Sequence, residues 1–131
     1  MSSWKIVDDR RYTKSDEWIK LEGSEAVVGI SDYAQSQLSD LVFVEFPKIG
    51  GSFSAGQPFG VVESVKAAAD VNLPVSGEVI AVNNDLENAP EVMNQDPYGN
   101  GWIVRIKPSD PSEMDALMDA QAYEAYCEER A

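Results

Sequence analysis

Histidine is absent from this chain, and cysteine occurs once, at Cys127. Without an imidazole there is no Ser-His-Asp or Cys-His nucleophile scheme and no zinc centre built on histidine. Carboxylates and lysine are what remain for acid–base or nucleophilic work. A single cysteine excludes an internal disulfide framework and supplies too few thiols for a metal cluster. Cys127 is expected to be a buried structural thiol, since neither a flanking basic pair nor a CxxC motif supports reactivity. Basic residues are also scarce: 10 stand against 23 acidic ones, for a formal net charge of −13. Such a surface repels nucleic-acid phosphates and anionic membranes, and suits docking onto partners that present basic surfaces. No run is long or apolar enough to cross a membrane, and the N-terminus lacks the apolar core of a secretory signal. The cytoplasm is the expected compartment, and a processed mitochondrial form is compatible with the same sequence.

What is present is material for one compact domain over residues 1–131, with 44% apolar residues and a length too short for two well-filled cores. Met1–Arg11 is polar apart from Trp4, Ile6 and Val7, and reads as an arm or a short edge segment. Glu17–Glu22 and Ala26–Ile30 flank Gly23-Ser24 and read as a hairpin, with Ile19 and Leu21 on one face and Trp18 and Lys20 on the other. Trp18 then packs on the second side of the sheet or joins a partner surface. At Ser31 the period changes, and a cap on a short helix over Asp32–Leu38 is expected. Val42–Phe46 alternates, with Val42, Val44 and Phe46 facing one way and Phe43 and Glu45 the other; Pro47 ends it. A small strand at Ser52-Phe53 follows.

Beyond Val82 the chain turns polar, and Pro90 predicts a helical turn over Ala89–Met93. Trp102–Lys107 is expected to be the last strand, with Trp102, Val104 and Ile106 inward. Ser112 is expected to cap a final helix whose covering face is Met114, Leu117, Met118, Ala122, Ala125 and Tyr126. Many short strands at close spacing, without crossover helices, predict a mostly β fold: a small two-sheet sandwich with short surface helices and a C-terminal helix.

Within this frame Phe59–Val82, FGVVESVKAAADVNLPVSGEVIAV, holds two apolar runs around a single basic residue, Lys66. Pro74 and Gly77 punctuate the second run, so Lys66 falls at an exposed bend between strands. Ser64, Ala67, Ala68 and Ala69 are small and leave the ammonium group open to a large partner. A solvated surface lysine is the plain reading of such a bend. Schiff-base work would need a desolvated pocket or a second cation, whereas Glu63 and Asp70 both favour the charged form if they lie close. Acylation makes better use of a protruding bend, because an amide removes the charge and turns the side chain into a tether.

The stretch ESVKAA, followed by Asp70, Pro74 and VSGEV at 75–79, resembles the lipoyl-lysine hairpin of the glycine cleavage system H protein family. The resemblance extends to YTKSDEW at 12–18, VGISDYAQ at 28–35, VFVEFP at 42–47, DPYGNGW at 96–102 and YEAYCEE at 123–129, nearly the whole chain. It implies a lipoyl-domain-like barrel-sandwich hybrid with the modifiable lysine on a protruding hairpin. It further implies lipoic acid bound to Lys66 as an amide after the action of a lipoate-attaching enzyme, on a chain that is itself not an enzyme. In the family, glycine decarboxylase, a pyridoxal-phosphate enzyme, loads the arm with the aminomethyl group of decarboxylated glycine. A tetrahydrofolate-dependent aminomethyltransferase unloads it, and dihydrolipoamide dehydrogenase, a flavoprotein, reoxidises the two thiols. Ser15, Glu17 and Asp70 fall where the family gathers polar groups around the loaded arm, and their acceptors would suit a cationic amine. Asp16 departs from the family pattern, which commonly has histidine there.

Related carriers contrast at the lysine. Biotin carriers flank it with methionines, 2-oxoacid dehydrogenase carriers read DKA, and phosphopantetheine carriers attach through a serine at a helix start; this chain has Val65-Lys66-Ala67. Two alternatives stay open at this level: an acidic protein-interaction module of β-sandwich type, and a lipoyl carrier serving another lipoate-dependent system.

Overall fold

The computed structural model describes residues 4–130; residues 1–3, part of the expected N-terminal arm, and residue 131 lie outside them. In chain order the strands and helices are β1 (Arg11–Tyr12), β2 (Glu17–Glu22), β3 (Glu25–Ile30), α1 (Asp32–Leu38), β4 (Leu41–Glu45), β5 (Ser52–Phe53), β6 (Pro58–Ser64), β7 (Ala68–Asn72), β8 (Gly77–Val82), α2 (Asp85–Asn88), α3 (Val92–Gln95), β9 (Val104–Pro108) and α4 (Ala120–Arg130), with a 3-10 turn at Pro111–Ala116. Six strands form one sheet in the order β1-β2-β3-β9-β8-β5, and three form another in the order β4-β6-β7. All pairings are antiparallel. The sheets meet over one core, to which Ile19, Val28, Val62, Val71, Val79 and Ile106 contribute from strands of both. This is the mostly β sandwich, with short helices and a C-terminal helix, that strand spacing predicts.

The other face of the larger sheet is covered by aromatics. Tyr12, Trp18, Val27, Tyr33, Tyr123 and Cys127 form a second buried cluster, joined by half-buried Tyr98, Trp102 and Tyr126. Trp18 lies in it, 1% exposed, with its indole N–H donating to the Pro97 carbonyl at 3.0 Å. Cross-strand from Trp18 stands Gly29. A Cβ there would sit 2.7 Å from Trp18 Cζ2 and 2.8 Å from Cε2. Gly29→Val is therefore expected to cost roughly 2–3 kcal/mol through overpacking, read as a lower denaturant midpoint; an unchanged midpoint would mean the indole can move aside.

Four local expectations are corrected. In β4 a register shift between Leu41 and Phe43 breaks the alternation, so Leu41 and Val44 point inward while Val42 and Phe43 are about half exposed; a bulge resets the face of every residue after it. The turn expected over Ala89–Met93 is two helical turns, α2 and α3, interrupted at Ala89, where φ is −142°; a residue before proline disfavours the α region. Trp102 precedes β9 and packs in the second cluster, while Ile103 and Val104 both face the main core. The Asn83 side-chain amide donates to the carbonyls of Asn100 and Trp102, holding that irregular entry.

Finally, Ser112 belongs to the 3-10 turn and donates to Asp110, and α4 begins only at Ala120. The interruption is made by Met118, whose N–H and carbonyl pair with those of Tyr12. α4 buries Tyr123 and Cys127 rather than Ala122, Ala125 and Tyr126. Cys127 is a buried thiol, and burial raises its pKa.

Candidate functional site

Lys66 occupies the turn Val65–Ala67 between β6 and β7. Glu63 pairs with Ala68 on the last rung of that ladder, and Ser64 closes the turn above it. Its N–H donates to the Ala67 carbonyl at 2.7 Å, and its hydroxyl donates to the same carbonyl at 3.1 Å while accepting from the N–H groups of Lys66 and Ala67. Val65 N–H is tied to the Asp40 carbonyl at 3.1 Å. Backbone polar groups of a tight turn need partners, and here a single buried serine supplies most of them. The backbone is thus held while the side chains of Val65, Lys66, Ala67 and Ala68 stay exposed. Among the described residues the Lys66 ammonium group has no ion-pair or hydrogen-bond partner, so neither Glu63 nor Asp70 holds it. An ammonium group so placed is open to a large partner. From sequence Ser64 reads as a small neighbour of the lysine; burial and these bonds make it the brace of the turn.

Beside this hairpin a cleft of about 170 Å3 opens between β7 and α1, its apolar wall including Ile30, Ala34, Leu38, Val62, Ala69 and Val71. Ser15, Asp16, Glu17 and Asp70 line it as well, so the structure brings together the three polar residues singled out from sequence. Their settings differ. Asp70 is exposed on β7. Glu17 is 1% exposed, on the first residue of β2. Its Oε1 accepts from the Thr13 hydroxyl at 2.5 Å and the Ser15 hydroxyl at 2.6 Å, and its Oε2 accepts from the Asn72 N–H at 3.0 Å. β7 is an edge strand, and Glu17 reaches across from the other sheet to satisfy an edge N–H that would otherwise lack a partner.

Burial raises the Glu17 pKa, and the hydrogen bonds from Asn72, Ser15 and Thr13 oppose the rise. An ionised carboxylate has about four acceptor positions. The protein fills two on Oε1 and one on Oε2. Asp16 lies at the cleft too, but its carboxylate turns away to Arg130 and Tyr123. Thr13 and Asn72 are the site residues that sequence reasoning missed. Thr13 lies within YTKSDEW and Asn72 two residues past Asp70, yet their roles depend on which strand neighbours which.

The sequence profile described as glycine cleavage H-protein matches residues 10–130. The chain is similar to a glycine cleavage system H protein of Magnetococcus marinus, 56% identical over 123 residues that cover 94% of this chain and 88% of the relative. One from Anaeromyxobacter sp. (strain K) is 52% identical over 126 residues, 96% of this chain and 98% of the relative. The mitochondrial H protein of Flaveria trinervia is 49% identical over 128 residues, 98% of this chain and 78% of the relative. The crystal structure of a glycine cleavage system H protein from Mycobacterium marinum superposes with a TM-score of 0.84 at 36% identity, covering 92% of this chain and 97% of that one. An exposed lysine on a braced hairpin, a polar cleft beside it and this degree of likeness agree: the chain belongs to the glycine cleavage H-protein family, the non-catalytic carrier component of glycine cleavage.

Proposed function

We propose that Lys66 is the lipoyl attachment point and that the chain shuttles the aminomethyl group of decarboxylated glycine. On this reading the arm is loaded at glycine decarboxylase, unloaded at the tetrahydrofolate-dependent aminomethyltransferase and reoxidised at dihydrolipoamide dehydrogenase, after a lipoate-attaching enzyme has modified the lysine. The observation that carries it is the exposed Lys66 side chain, without a partner among the described residues, on a turn whose backbone is held by Ser64 and Asp40. The fit is chemical as well as steric. Acylating an exposed lysine that holds no ion pair breaks nothing in the fold, and the flanking alanines admit the ligase.

When bound, lipoic acid supplies a dithiolane that opens to carry the one-carbon unit on sulfur. The chain's own part is placement. The braced hairpin presents the arm to each partner at a high effective concentration. Ser15, Glu17 and Asp70 offer acceptors and negative charge to a cationic amine drawn back into the cleft, and the apolar wall excludes water from it. The compartment we propose is the cytoplasm. A relative from Flaveria trinervia has a mitochondrial name, and a processed mitochondrial form fits the same chain.

Co-expression with a lipoate-attaching enzyme, followed by intact-mass and peptide mapping, is expected to find one lipoyl group, on Lys66. A group mapped only to another lysine would overturn the proposal.

A further inference from the structure

Asp16 is the corner of the turn that presents Ser15 and Glu17. Its φ is 78°, the left-handed region in which Asp is among the few tolerated side chains. Within the turn, Asp16 N–H donates to the Thr13 carbonyl at 3.2 Å and Thr13 N–H to the Glu17 carbonyl at 2.9 Å. The Asp16 carbonyl accepts from Ser31 N–H at 2.9 Å; Ser31 is also the side-chain cap of α1, one wall of the cleft. The corner thus joins the arm cleft on two sides.

Its carboxylate points the other way, to the C-terminal helix. Arg130 clasps it with both terminal nitrogens, Nη2 to Oδ1 at 2.6 Å and Nη1 to Oδ2 at 3.1 Å, across 114 residues of sequence. Tyr123 adds its hydroxyl to Oδ1 at 2.8 Å and also meets the Ser31 hydroxyl. The guanidinium is sandwiched between Tyr33 of α1 and Tyr126 of α4, 4.2 and 3.9 Å from the ring centroids. Tyr126 in turn donates to the Lys14 carbonyl at 2.8 Å, inside the same turn. Side-chain exposures of 28% for Arg130 and 17% for Asp16 shield the pair more than a surface bridge. Planar, bidentate and stacked, this is a geometry that lysine cannot reproduce.

We infer that Arg130, acting through Asp16, is a positioning residue for the arm cleft: the ion pair holds the left-handed corner, and the corner sets how Ser15 and Glu17 offer their oxygens to the loaded arm. The inference rests on the reading that Ser15 and Glu17 receive that arm. It gives α4 a task beyond covering the sheet, since the helix buries only Tyr123 and Cys127 and its last turn is fastened to the site itself.

The test uses the full chain with Arg130→Gln, Arg130→Lys and Asp16→Asn, the last tolerating a left-handed corner while losing the charge. On protein lipoylated at Lys66 and loaded, Arg130→Gln and Asp16→Asn are expected to shorten the lifetime of the aminomethyl cargo about fivefold, the upper range for a part-shielded pair, with Arg130→Lys intermediate. On unlipoylated protein, amide exchange at Thr13 and Asn72 is expected to speed up by a similar factor. Faster exchange confined to α4, with Thr13 and Asn72 and the cargo lifetime unchanged, would reduce Arg130 to a helix anchor and overturn the inference. Glu17→Gln is measured alongside. If it leaves the cargo lifetime unchanged, the reading of the arm site falls, and the positioning of the turn is then decided by the Thr13 and Asn72 exchange alone.

Discussion

Lys66→Arg is expected to leave the protein folded and to end carrier turnover entirely. The side chain projects from an exposed turn and has no partner among the described residues, so the change removes no packing and no ion pair. The turn itself depends on Ser64 and on backbone groups that arginine keeps. Surface changes of this kind fall within about 0.5 kcal/mol. Arginine keeps the positive charge but cannot form the lipoyl amide, since the guanidinium is not an acyl acceptor at any working pH. A reconstituted glycine-cleavage assay, with denaturation as the folding control, separates the carrier from an acidic interaction module, for which arginine would serve nearly as well. Robust lipoate-dependent turnover by the variant would reject the attachment site.

Glu17→Gln is expected to shorten the lifetime of the aminomethyl cargo by roughly tenfold or more, the scale of one lost hydrogen bond to a charged group. Asp70→Asn should act in the same direction and more weakly, because Asp70 is exposed and its charge is better screened. The oxidised arm, which bears no cation, should be little affected by either. Glutamine fits where Glu17 sits: its carbonyl can accept from Asn72 N–H, and the Thr13 and Ser15 hydroxyls can rotate to accept from its amide. Mass spectrometry of the loaded protein and NMR of arm mobility would follow both effects. Lifetime and mobility unchanged from wild type in both single variants and the double variant would rule out a charge-based resting site and leave Lys66 untouched.

The same buried carboxylate ties stability to pH. Burial raises the folded-state pKa of Glu17 above the ordinary glutamate value, so the folded chain binds that proton more tightly than the unfolded chain does. Its stabilising contribution is full at pH values below the ordinary range and is lost as pH rises through the raised folded-state value. Above that window the wild-type protein carries the cost of a buried charge. Urea denaturation across the acid range is therefore expected to show a flatter stability profile for Glu17→Gln than for wild type. If Glu17 receives the loaded arm as proposed, arm retention is expected to show the opposite trend, weakening as pH falls through the same value because a cationic amine is held by the ionised carboxylate.

The exposed bend at Lys66 was legible because its signals are local: a lone cation between two apolar runs, small neighbours, and turn residues at fixed offsets. Strand β2, the hairpin to β3, helix α1 with its Ser31 cap and the short β5 were legible for the same reason, since period and capping chemistry act within a few residues. Where tertiary contacts override a local pattern, the sequence misleads. The β4 bulge exposes Val42 and Phe43, and Met118 leaves a helical pattern in order to pair with Tyr12.

By itself, then, the sequence determined a small acidic β domain without histidine chemistry, with Lys66 on an exposed bend between two strands. Only the tertiary structure decided what stands beside that bend. Glu17 shares the face of Ile19 by spacing and reads as solvated only from its charge; it is buried because the sheets meet there, and its bond to Asn72 spans 55 residues. Asp16 and Arg130 carry no joint signal in the sequence. They pair because α4 crosses the arm turn, and a pairing made by chain topology leaves no periodicity to read.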